Sequence, residues 1–242
     1  MGTKRILRDI SELQDILYSD TGIYYVVNEV NLYTGRACIF GPIGTPYEDC
    51  PMLFSFEIDA DYPFEPPKVL FDTYDGITRF HPNMYKEGKV CLSILHTWEG
   101  PKWASTMKLS TILVTLQSIM DTNPILHEPG YQNPTKEMKE GYISYIEHSC
   151  IQYILERAEK QIQPDAFIPF QEIFKEKLQG ILARLEERLQ ILIQEHGEKT
   201  FHNLPYQLYG RTNYSKLLER VIKLKDRSID SKVEKNDNTT AP

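Results

Sequence analysis

The sequence predicts an α/β chain of the α+β kind: one helix, a four-stranded antiparallel meander, then helices. Three observations carry this. Residues 3–18 place Ile6, Leu7, Ile10, Leu13, Ile16 and Leu17 at three- and four-residue steps, the period of an amphipathic helix. Four short β-rich runs follow, Ile23–Val27, Leu32–Phe40, Met52–Ile58 and Val69–Phe71. Turn signals at Thr34-Gly35, Gly41-Pro42, Gly44-Thr45-Pro46 and Asp61-Tyr62-Pro63 punctuate them, and their short spacing favours antiparallel neighbours. Periodicity then returns at Leu109–Met120, with Ser110 as its cap, and near 134–162, 169–196 and 213–227. In the second of these last three, Leu178, Leu182, Leu185, Leu189 and Leu192, widened by Phe174 and Ile181, form a stripe too broad for a coiled-coil seam; it is expected to pack on the rest of the chain.

Composition narrows the function classes. The chain has 242 residues, 41% hydrophobic and 25% charged, which suits one large domain or a domain with an extension. Its net charge is −7, against general nucleic-acid binding. Residues 1–130 hold 10 Lys+Arg against 17 Asp+Glu, and the remainder holds 17 of each, so the two stretches differ in kind. No apolar run approaches the ~20 residues of a membrane span, and the N-terminus is too charged for a signal-peptide core. Cys38, Cys50, Cys91 and Cys150 lie far apart, so reduced thiols in the cytoplasm or nucleus are expected, without zinc or disulfides. From Asp226 onward the composition is that of a disordered tail.

Residues 76–107 form a long irregular segment, which in a compact domain is usually functional. It holds His81-Pro82-Asn83 and then Val90-Cys91-Leu92. An isolated intracellular cysteine is most often a small buried hydrophobe. Here Gly88 and Lys89 precede it, and Asn83 and His81 lie eight and ten residues upstream. A thiolate nucleophile performs thioester or acyl transfer, and an Asn amide is a suitable donor to the oxyanion that forms. A Cys–His–Asn hydrolase needs the same residue types, but His81 and Asn83, separated only by Pro82, do not suit its order of contacts.

With Asp61-Tyr62-Pro63-Phe64-Glu65-Pro66-Pro67-Lys68-Val69 in the same order and spacing, the segment resembles the ubiquitin-conjugating enzymes. The resemblance covers residues 3–130. Leu92-Ser93-Ile94-Leu95, Thr97-Trp98, Gly100-Pro101-Lys102-Trp103 and Glu128-Pro129-Gly130-Tyr131, with the long helical extension, resemble the Z-type branch of that family. It implies a conjugating core over 1–132, a helical extension over 133–225 packed on or near the core, and a disordered tail over 226–242. It implies that Cys91 accepts ubiquitin or a ubiquitin-like modifier from an activating enzyme, a specialised one under the Z-type resemblance, and passes it to a substrate lysine or a ligase. Asn83 would be the oxyanion donor or loop organiser, and His81 and Pro82 structural supports. Only about one lysine in 10³ is neutral at pH 7. The family places an acidic residue near the cysteine to meet this, and Glu128 matches it, with His127 beside it; a solvated loop charge is the competing reading. His96 and Trp98 fall in an insertion that shapes access to Cys91 or merely packs the loop.

Lys4, Arg5 and Arg8 would meet the activating enzyme, and Phe64 a RING-type ligase, although Glu65 and Ala104-Ser105-Thr106 depart from the usual ligase-contact pattern. No metal or organic cofactor is implied, ATP being used by the upstream enzyme, and no nucleic acid or membrane partner. A non-catalytic variant of the fold, binding ubiquitin or a ligase, is the alternative; such variants lack the cysteine.

Overall fold

The computed structural model describes residues 2–73, 75–202 and 204–237; the side chains of Ile16, Leu17 and residues 228–237 are outside the description. Helix α1 (Gly2–Leu13) buries Ile6, Ile10 and Leu13. The single helix expected over 3–18 is broken: Gln14 and Asp15 close tight i→i−3 bonds, and a short α2 (Ile16–Asp20) restarts after them. Strands β1 (Ile23–Val27), β2 (Thr34–Phe40), β3 (Pro51–Glu57) and β4 (Lys68–Phe71) form one antiparallel sheet in sequence order. The register aligns Tyr25, Ala37, Phe54 and Phe71 across all four strands. Each is at most 4% exposed, so this row is the floor of the core.

Helix α3 (Leu109–Ile119) packs on α1. Its cap is not Ser110. Lys108 precedes the first turn, with its N–H bonded to Thr111 Oγ1 at 3.1 Å, and Ser110 turns inward to donate to Glu12 Oε1 at 3.0 Å. The Lys108 ammonium, followed by Ser110 and Tyr18, outweighs burial and holds the Glu12 carboxyl below its usual range.

Beyond the sheet come α4 (Lys136–Glu159), α5 (Gln171–Glu195) and α6 (Tyr214–Asp237). The stripe of α5 is buried at Phe174, Ile181, Leu182, Leu185, Leu189 and Leu192, and α5 packs chiefly on α6. Two-residue strands β5 (Thr200–Phe201) and β6 (Gly210–Arg211) pair between α5 and α6. The backbone of α6 stays helical to Asp237, where composition from Asp226 onward suggests a disordered tail. Extending an existing helix needs no new nucleus, so a charged sequence can continue one. Residues 238–242 of that tail lie outside the described residues.

These helices also cover part of the second face of the sheet, leaving Val26 and Leu70 at its other end exposed. Cys38 and Leu53, opposite in side to Ala37 and Phe54, are fully buried. The Lys177 ammonium sits 5.7 Å from the ring centres of Tyr24 and Phe40, and Arg36 donates to the Asp165 carbonyl. Farther back, Arg184 grips Asp49 through two bonds of 2.7 and 2.8 Å. Arg188 reaches Glu147 of α4 at 2.6 Å and the Thr45 carbonyl at 3.0 Å. The loop they hold is tight: a side chain at Gly41 would stand 1.9 Å from the Tyr47 carbonyl oxygen. Among the described residues no helix is long and apolar enough to cross a membrane.

Candidate active site

The segment from Thr78 to Cys91 has no named strand, yet its backbone is fully organised. Met84 N–H bonds the His81 carbonyl at 2.9 Å, Tyr85 N–H the Lys89 carbonyl at 2.9 Å, and Phe71 N–H of β4 the Gly88 carbonyl at 2.8 Å. Asn83 brackets Cys91. Its carbonyl accepts the Cys91 N–H at 2.8 Å, and its Nδ2 donates to the Cys91 carbonyl at 2.6 Å. The eight-residue spacing read from the sequence is the span of this closed loop.

Cys91 is 1% exposed. Val90, Leu92, Ile94 and Leu95 around it are also buried, so the segment is less polar in its packing than in its composition. After it, Thr97 Oγ1 accepts the Leu92 N–H at 2.9 Å and donates to the Leu92 carbonyl at 3.1 Å, closing a 3-10 turn over Ser93–Leu95. His96 then takes a left-handed φ of 58° and faces Glu65 at 3.4 Å, while Trp98 stays 41% exposed. Trp103 is buried and donates Nε1–H to the Pro63 carbonyl at 2.7 Å. That bond sets the base of the loop carrying Phe64, which is 70% exposed.

His81 is fully buried, and its Nδ1 accepts the Asn83 N–H at 3.0 Å. Burial foremost, then the neighbouring His127 and Arg79, hold its pKa well below the usual value, so it stays neutral. Arg79, which sequence reading missed, fixes the same turn: it donates to the Pro82 carbonyl at 2.5 Å and the His81 carbonyl at 3.3 Å. Its guanidinium carbon lies 3.3 Å from the ring centre of Tyr85, and the Tyr142 hydroxyl donates to its carbonyl at 2.8 Å. The His127 ring lies 5.0 Å from the His81 ring, tilted by 51°, and pairs Nε2 with Asp121 Oδ2 at 2.9 Å. Glu128 accepts from the Tyr206 hydroxyl at 2.5 Å. Nothing near Tyr206 in the sequence marks it, because its partner lies 78 residues away.

The basic face of α1 is divided. Lys4 is exposed and the Arg8 side chain is 66% exposed. Arg5 is only 14% exposed: it pairs with buried Asp9 at 2.8 Å and donates to the Ser105 and Met107 carbonyls. It ties α1 to the loop beside Trp103, so its charge is committed inside the chain; the even three-charge face expected from the sequence is not what the fold presents. Among the described residues no group of three or more His, Cys, Asp or Glu is placed to hold a metal ion.

Buried histidines give the fold a pH dependence. His148 is depressed to about 4, mainly by burial and then by Arg220, and burial also holds His81 well below the usual value. Unfolded, each would titrate near 6.5. Between 6.5 and about 4 the unfolded chain therefore binds protons that the folded chain does not, and stability falls as pH falls. Urea unfolding is expected to lose about 1.4 kcal/mol per pH unit from His148 in this window. His148→Gln should remove its share of the slope; an unchanged slope would show that His148 is not held neutral.

The family described as ubiquitin-conjugating enzyme matches residues 5–150, more than half of the chain and all of the segment just described. The chain belongs to the ubiquitin-conjugating enzyme family. It is 43% identical over 131 residues to human ubiquitin-conjugating enzyme E2 Z, covering 53% of this chain and 36% of that protein. To E2 Z of Xenopus tropicalis it is 39% identical over 168 residues, covering 67% of this chain and 52% of that one. A solved conjugating-enzyme domain from Toxoplasma gondii shares 27% identity, with a TM-score of 0.47 over 62% of this chain and 94% of that one. The chain thus spans about a third to a half of the length of these E2 Z proteins. The family match ends at Cys150, inside α4.

Proposed function

We propose that this member of the ubiquitin-conjugating family accepts ubiquitin, or a ubiquitin-like modifier, from an activating enzyme as a thioester on Cys91. It then passes the modifier to a substrate lysine or to a ligase. The observation that carries this is the bracket of Asn83 around Cys91: one residue fixes the thiol's backbone on both sides. The Asn83 amide has a second N–H, suited to the oxyanion that forms when the thioester carbonyl is attacked. His81 and Pro82 support that turn through bonds to Arg79 and, at His81 Nδ1, the Asn83 backbone N–H. Glu128 is the carboxylate read as receiving the lysine proton, and His127, next to it in the chain, lies against His81.

Lys4 and Arg8, both exposed, would meet an acidic patch of the activating enzyme, and the exposed ring of Phe64 a ligase. The core over 1–132 carries the chemistry and the extension governs it. A reducing setting, cytoplasmic or nuclear, suits a thiol nucleophile and three further free cysteines. ATP enters through the activating enzyme, with no cofactor held here.

The test is charging. The purified full chain is incubated with ubiquitin, ATP and an activating enzyme, general or specialised, and run on non-reducing gels. A thiol-sensitive adduct is expected. No adduct with either activating enzyme and several modifiers would overturn the reading in favour of a binding module.

A further inference from the structure

Tyr206 reaches Glu128 from the loop between β5 and β6, and its backbone is unusual. Tyr206 and Gln207 take φ values of 63° and 59° in succession. Non-glycine residues seldom adopt this left-handed conformation, and it persists where the surroundings over-determine it. Here three contacts do so. The Tyr206 hydroxyl donates to Glu128 Oε2 at 2.5 Å. Its ring lies 4.5 Å from the Arg79 guanidinium carbon, which is held on the other side by Tyr85. It also meets the Tyr142 ring edge-on at 6.0 Å. Burial and the Glu128 carboxylate raise the hydroxyl far above the ordinary tyrosine range, so it stays a donor.

We propose that Tyr206 is a positioning residue for aminolysis of the thioester: its hydroxyl fixes the Glu128 carboxylate and its ring fixes Arg79, which carries the turn before Cys91. The inference rests on the reading of Glu128 given above. In that step the lysine nitrogen attacks the thioester carbonyl and a C–N bond forms. The C–S bond breaks, Cys91 leaves as thiolate, and the proton shed by the amine passes to Glu128. A carboxylate tethered through Oε2 is held in one orientation and keeps Oε1 as its acceptor for the amine proton; an untethered one rotates. The extension thereby acts on lysine transfer without touching the reacting atoms.

The experiment follows single-turnover discharge of the charged full chain, comparing wild type, Tyr206→Phe, Glu128→Gln and the double variant. Phenylalanine keeps the ring on Arg79 and removes only the hydroxyl. Discharge to free lysine by Tyr206→Phe is expected to fall about ten-fold near neutral pH, with the loss shrinking as pH rises and more lysine is neutral. Discharge to hydroxylamine, an amine already neutral, should change far less, and Tyr206→Phe should add nothing to Glu128→Gln. Equal slowing toward lysine and hydroxylamine would make Tyr206 a loop support and overturn the proposal. Wild-type discharge by Tyr206→Phe with slow discharge by Glu128→Gln would overturn it and leave Glu128 standing. Wild-type discharge by Glu128→Gln would overturn the reading of Glu128 and the proposal together.

Discussion

Cys91→Ala is expected to abolish the modifier adduct entirely, and Cys91→Ser to replace a thiol-sensitive adduct with one that resists thiols. The reason is bond chemistry. A sulfur nucleophile forms a thioester, which free thiols cleave by exchange; a serine oxygen in the same place forms an ordinary ester, which they do not. Cys38 and Cys50 are not expected to take over. Cys38, Cys50 and Cys150 are buried in the sheet and helix core, and burial pushes the Cys38 and Cys50 thiols far from ionising. Cys91 itself is 1% exposed, so its partner loops must yield before it meets a modifier. Non-reducing gels, with circular dichroism to show that both variants fold, check the outcome. An adduct that survives Cys91→Ala would move the nucleophile elsewhere.

Arg188→Ala is expected to cost about 3 kcal/mol, the size seen when one partner of a largely buried ion pair is removed. Arg188 is 17% exposed at its side chain and Glu147 12%. The guanidinium also holds the Thr45 carbonyl and lies 3.8 Å from Glu48, so one side chain joins α5, α4 and the loop before β3. Its loss strands a carboxylate in the interior. For a chain of this size the change should lower Tm by about 10 °C. The control is Lys136→Ala, whose pair with Glu140 is 87% and 55% exposed and should be worth little. A fall in Tm no larger than the control's would show that α5 is held by its apolar stripe alone.

Long periodic elements were legible in the sequence because each residue's neighbours three and four steps away report the same buried face. That is why α3, α4 and α5 fall close to the stretches read as helical, and why strand limits shift by only a residue or two. Strands β5 and β6 are too short to show any period. Ser110 looked like a cap because serine prefers caps, but tertiary bonding to Glu12 overrode the local preference. The loop from His81 to Cys91 was legible for a different reason: its partners lie within ten residues, so spacing reflects contact. Arg79 and Tyr206 were not legible. Arg79 acts through bonds to backbone carbonyls, which leave no mark on residue type, and Tyr206 through a bond to distant Glu128; no local pattern distinguishes such a tyrosine from the 14 others.

Helix α4 serves two neighbours at once. Tyr142 reaches back to Arg79, Glu147 to Arg188, and Ile146, Ile151 and Ile154 are wholly interior. The family match ends at Cys150, halfway along it. A chain stopped at that residue would leave a shortened α4 without the cover of α5 and α6, and would bare the part of the sheet that those helices bury. Amide hydrogens along 136–159 should therefore exchange with solvent as one block, together with those of the sheet. The extension is thus less an appendage than half of a shared spine, and a protease would release neither part intact.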